Sequence, residues 1–101
     1  MEIIVKETTF LPGLDHGWGN GYVVLPKGHK YHGKDYDEID VDVHYGLTFS
    51  RPATDLEWPE ITEAMKDCWI IGFDTAHAGD TQYTWPKEAV IAEAKRLMEQ
   101  L

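Results

Sequence analysis

Histidine and aspartate come together twice in this sequence at spacings that could support chemistry. Asp42 and His44 stand two residues apart in Asp40-Val41-Asp42-Val43-His44, and Asp74, His77 and Asp80 recur every third position in Asp74-Thr75-Ala76-His77-Ala78-Gly79-Asp80. A carboxylate beside an imidazole orients and tunes it for general acid–base work. The same groups offer oxygen and nitrogen to a divalent metal. Neither run has the spacing of a strong metal motif such as His-Glu-x-x-His, and the chain has no Ser-x-Gly elbow, phosphate loop or paired cysteines. Ligand reading by Asp42, His44, Thr48, Asp74 and His77 therefore ranks above catalysis. Two plainer readings compete: an Asp-x-His pair is ordinary on a half-exposed sheet face, and Asp74 after an apolar run suits a turn cap.

Two further segments carry binding potential. Lys27, His29, Lys30, His32 and Lys34 fall within eight residues of an otherwise acidic chain. They read either as a solvated loop or as a cradle for a small anion. Trp18, within Gly17-Trp18-Gly19-Asn20-Gly21, is a core anchor or a stacking platform in an irregular loop. The glycine run lacks the strand–turn–helix setting of a phosphate fingerprint.

The elements that must position these groups are legible to different degrees. Residues 3–10 mix β-branched side chains and threonine and predict a first strand, followed by a turn at Pro12-Gly13. Tyr22-Val23-Val24-Leu25 predicts a short apolar strand closed by Pro26, and a polar loop runs from Lys27 to Glu38. Over residues 40–50, Val41, Val43, Tyr45, Leu47 and Phe49 alternate with Asp40, Asp42, His44, Gly46, Thr48 and Ser50. Such alternation predicts a long strand with His44 and Asp42 on its polar face. Residues 60–66 suit a short helix, and Trp69 to Phe73, apolar on both faces, suits a central strand. Val90, Ile91, Ala94, Leu97, Met98 and Leu101 form one stripe of a helix over residues 86–101, with Pro86 in its first turn and Lys95 and Arg96 toward its end. Strands closed by one amphipathic helix predict an α+β fold: a small, mainly antiparallel sheet with the C-terminal helix on one face.

The bulk properties set the frame. The chain has 101 residues, enough for one domain spanning 1–101, and is 43% hydrophobic with four Trp, five Tyr and three Phe. That composition packs a core rather than staying disordered. A single cysteine, Cys68, beside Trp69-Ile70-Ile71 is expected to be a buried thiol, with no intramolecular disulfide. The N-terminal residues lack the pattern of a signal peptide, and no apolar run is long enough to span a membrane, so a cytoplasmic protein is expected. The formal charge is −9, from 18 acidic and 9 basic residues, which disfavours nucleic acid and acidic membranes as partners. No cofactor is called for, and self-association is left open.

The segments Gly21-Tyr22-Val23-Val24-Leu25-Pro26-Lys27-Gly28-His29, Gly33-Lys34-Asp35-Tyr36-Asp37, Asp40-Val41-Asp42-Val43-His44 and Gly46-Leu47-Thr48-Phe49, with residues 71–80, resemble a family of small uncharacterised proteins of bacteriophages and bacterial mobile elements. The likeness spans roughly residues 20–80 and departs at Tyr45, where the family pattern carries Gly. It implies a setting and no established activity: small phage accessory proteins often blunt host defence. In that setting the chain would sequester a nucleotide-derived immune signal. The loop with Lys27, His29 and Lys34 would meet phosphates, Trp18, Tyr22 or Trp85 would stack a base, and Asp42, His44, Thr48, Asp74 and His77 would read polar edges. An acidic inhibitor of a host protein ranks second, and a metal-dependent hydrolase built on the His/Asp cluster third. If His44 and Asp74 face a pocket, their replacement by Ala should abolish function at little cost in stability.

Overall fold

The computed structural model describes residues 1–9 and 15–101. The expected end of the first strand at Phe10 and the turn at Pro12-Gly13 lie outside them. Four strands, β1 (Glu2–Glu7), β2 (Gly19–Leu25), β3 (Phe49–Pro52) and β4 (Trp69–Phe73), form one sheet in the order β1-β2-β4-β3, antiparallel throughout. One helix, α1 (Lys87–Glu99), packs on β1 and β2. The α+β expectation thus holds.

β-Branched Val23, Val24, Ile70 and Ile71 lie in the two inner strands, where side chains on both faces are buried. β2 is longer than its apolar run. It begins at Gly19, so Gly19 and Gly21 belong to a strand rather than an irregular loop. Gly21 is required by close approach: a Cβ there would lie 2.6 Å from the ring of Phe73 and 3.2 Å from Ala94 of the helix.

Each sheet face has its own cover. On one face Val23, Leu25, Ile71 and Phe73 meet Val90, Ala94 and Leu97 of α1. On the other, Ile4, Tyr22, Val24 and Ile70, with Phe49 of β3, lie beneath Leu56, Trp58, Ile61 and Met65. The second cover comes from the connection between β3 and β4, which contains only 3-10 turns at Ala53–Asp55 and Glu63–Met65. The helix expected over residues 60–66 is reduced to the latter turn. Trp58 holds this layer down, with its ring 4.6 Å from Tyr22 and Lys6 Nζ 5.0 Å above it, while Lys6 pairs with Glu60 at 2.9 Å. Cys68 is half-buried rather than buried; burial, then Asp67 and Glu2, pushes its thiol above the ordinary value.

The main departure is at residues 40–50. Only Phe49 and Ser50 enter a strand; residues 39–47 cross the helix-side layer outside the sheet, and Thr48 N–H donates to Gly72 O of β4 at 2.9 Å as the chain reaches it. Their alternating polarity is met by burial of Ile39, Val43 and Leu47 in the core beside α1. At Asp42 and His44 the helix, not a strand, satisfies the backbone. Asp42 N–H donates to Gln100 Oε1 at 2.7 Å, Gln100 Nε2 donates to Asp42 O at 2.7 Å, and His44 N–H donates to Glu93 Oε2 at 2.8 Å. A turn closed by Gly46 N–H to Val43 O at 2.8 Å then redirects the chain, with Tyr45 at φ 57° and Gly46 at φ 81°. Two successive left-handed residues end any extended ladder.

Candidate binding site

β4 delivers Asp74 at its C-terminal end. Asp74 Oδ1 accepts Ala76 N–H at 3.0 Å, the turn cap anticipated for this position, and Oδ2 accepts the Thr48 hydroxyl at 3.0 Å. The loop that follows is pinned to the start of β2. Buried Thr75 donates its hydroxyl to Gly19 O at 2.6 Å, and its carbonyl accepts Gly17 N–H at 2.7 Å.

Asp80 closes the loop and organises the site. Only 4% exposed, it accepts His77 N–H at Oδ2 (3.0 Å) and faces His44 Nε2 with both oxygens, at 2.9 and 3.0 Å. The ring of His44 lies 4.1 Å from that of Trp85, and its backbone is tied to Glu93. Because Asp80 is an acceptor, the proton of neutral His44 resides on Nε2 and Nδ1 is left as the acceptor. Glu93 is held below the ordinary carboxylate range by its hydrogen bonds from Arg96, with His44 N–H adding to the effect.

His77 is the second imidazole, with its ring centroid 6.0 Å from that of His44. Its Nε2 lies 2.9 Å from Asp74 Oδ1 but off the line of a hydrogen bond, so this buried nitrogen has no hydrogen-bond partner among the described residues. Tyr45 lies parallel to His77 at 4.3 Å, edge-on to His44 at 4.9 Å, and its hydroxyl reaches Ala78 O at 3.3 Å.

Four of the anticipated ligand residues, His44, Thr48, Asp74 and His77, are therefore brought together. Asp42 is not among them: its carboxylate is exposed and pairs with Arg96 at 3.2 Å. Trp18 stands at the same end of the sheet, but its half-buried ring packs against the core with Lys87 Nζ 5.3 Å away. Lys27, His29 and Lys34 lie toward the other end of β4, about 13 Å of strand rise away. There His29 Nδ1 accepts Tyr31 N–H and Nε2 donates to Leu101 O, while Lys34 O accepts the Trp69 indole N–H. The expected pocket combining this loop with the His/Asp cluster does not form.

Asp80 belongs to the His/Asp run legible in the sequence but not to the ligand-reading residues expected from it, and Tyr45 belongs to neither. The three-residue step from His77 to Asp80 was visible, whereas the burial of Asp80 was not. Tyr45 was assigned to the apolar face of a strand that does not exist.

The charge of the cluster limits its ligands. Two imidazolium groups would only cancel ionised Asp74 and Asp80, and Arg96 offsets Glu93, so this face carries no net positive charge at neutral pH. The imidazole and carboxylate atoms also do not gather as metal ligands. Among the described residues, the one group with three ligand atoms within 4.8 Å of one another is the exposed turn Asp35, Asp37 and Glu38. Thr48 additionally borders a groove of about 460 Å³ that runs along β3 past Tyr36, Arg51 and Trp69. No family model, curated protein or solved structure matches this chain.

Proposed function

We propose that the protein is a small-ligand-binding module that reads the hydrogen-bonding edges of an uncharged polar group at the His44–His77 face. The observation that carries this reading is Asp80: one buried carboxylate fixes the ring of His44 and the backbone of His77 together. With His44 Nε2–H committed to Asp80, Nδ1 presents a fixed acceptor, which suits recognition of a hydroxyl, amide or heterocycle N–H. The resemblance to small phage and mobile-element proteins suggests a role, sequestration of a nucleotide-derived host signal. Its phosphates would project away from Asp74 and Asp80. A metal-dependent hydrolase fits less well, because the candidate ligand atoms are split between two separate pairs.

A thermal-shift panel of nucleosides, cyclic dinucleotides and ADP-ribose derivatives tests the reading. A true ligand at 100 times its Kd should stabilise the fold by about 2.7 kcal/mol through mass action. His44→Gln and His77→Gln should lose that shift while remaining folded. Flat melting curves across the whole panel would remove the proposal. The acidic-inhibitor reading retains one supporting observation, Tyr83, which is 93% exposed on a turn braced by Thr81 and Thr84. Tyrosine is enriched among the anchor residues of protein–protein interfaces.

A further inference from the structure

Resting on that reading of the site, the geometry points to Tyr45 as a stacking platform, and to a planar heterocycle, the base of a ribonucleoside, as the part of the ligand that the site receives. Four observations converge on this one side chain. Tyr45 is the only non-glycine residue with positive φ among the described residues, at 57°. Glycine occupies that conformation without steric penalty, whereas a tyrosine there is strained. The ring gains little burial in return, being 63% exposed. Its hydroxyl makes one long contact of 3.3 Å to Ala78 O.

What the tyrosine does achieve is a stack. Its ring lies within 9° of parallel to His77 at 4.3 Å, and it stands edge-on beside His44. One face is thus occupied by His77, which steadies the ring, and the residue as a whole stays largely open to solvent. An aromatic ring at a position that favours glycine, with little burial to compensate, fits a contact surface. Stacking on such a ring tolerates any base, because every base has a π-face. The adjacent imidazole edges supply the hydrogen bonds that sugar hydroxyls or base edges require. The net charge of the face gives no added attraction for a phosphate, so the nucleoside portion carries the recognition.

Calorimetric titration of the wild-type protein with the four common ribonucleosides and with ribose tests this, alongside Tyr45→Gly, Tyr45→Phe and His44→Gln. Glycine suits the backbone at this position, so Tyr45→Gly removes the ring without endangering the fold. At least one nucleoside should bind about tenfold more tightly than ribose, equivalent to about 1.4 kcal/mol. Tyr45→Gly should abolish that preference, and Tyr45→Phe should keep it. Equal binding of ribose and every nucleoside, or nucleoside binding unchanged in Tyr45→Gly, would overturn the role of Tyr45. In that event loss of binding in His44→Gln would still leave the site reading standing. No binding of any nucleoside or of ribose would overturn the role of Tyr45, and the site reading falls with it only if the cyclic dinucleotides and ADP-ribose derivatives also leave the melting curve flat.

Discussion

His44 is anchored through its ring to Asp80, through its backbone to Glu93 and by ring contact with Trp85. Its side chain therefore contributes to the fold as well as to the site. Removing it would leave the nearly buried Asp80 carboxylate with His77 N–H as its remaining partner among the described residues. His44→Ala should consequently cost about 2–3 kcal/mol in chemical denaturation, the scale of a lost hydrogen bond to a charged group. His44→Gln, whose amide can still donate to Asp80, should recover most of that loss. The expectation of little stability cost at this position is thereby revised. A melt of His44→Ala indistinguishable from wild type would show that the pair contributes nothing to folding. Glu93 adds a pH dependence of known sign. Its folded value is depressed, so its stabilising contribution is present above the ordinary carboxyl value of 4.5 and is lost as pH falls through the lower folded value. Thermal midpoints of the wild type should fall more steeply than those of Glu93→Gln once the pH drops below about 4.5.

At the scale of elements, the helix and the inner strands were readable because their signals are local. The stripe ending in Leu97 and Leu101 has helical spacing, and Trp69-Ile70-Ile71 is β-branched and apolar. Residues 40–50 show how the same kind of signal misleads. Alternating polarity reports an extended chain with one buried side, and it does not say whether a strand or a helix lies alongside. Here Ile39, Val43 and Leu47 are buried beside α1, and Gln100 and Glu93 supply the hydrogen bonds that a neighbouring strand would have made. The site itself was partly legible, since His44, Thr48, Asp74 and His77 do meet. Asp42 failed because the segment is anchored by its backbone, which turns that carboxylate outward to Arg96. Gln100→Ala removes both bonds to the Asp42 backbone. It should cost about 1–2 kcal/mol and speed amide exchange at Asp42 while leaving β4 protected. Equal acceleration at Ile70 and Ile71 would mean that the segment is not an independently opening unit.

At the scale of the whole molecule, charge and layering act in opposite directions. The two inner strands are sandwiched between α1 and the irregular connection carrying Trp58, which concentrates apolar burial at the centre of a small chain. Around that centre the formal charge is −9. Ion pairs toward the surface, such as Lys6–Glu60 and Arg96–Asp42, contribute little. Uncompensated acidic groups therefore repel one another most strongly in the compact state. Added salt should relieve this repulsion, because the screening length falls to about 10 Å at 0.1 M. The prediction is a thermal midpoint at neutral pH that rises with sodium chloride from low to physiological ionic strength. Sodium and potassium salts should act alike, since screening is indifferent to the identity of a monovalent cation. A midpoint that falls with salt would show that attractive pairs outweigh the repulsion, and a rise specific to one cation would point to bound ions instead.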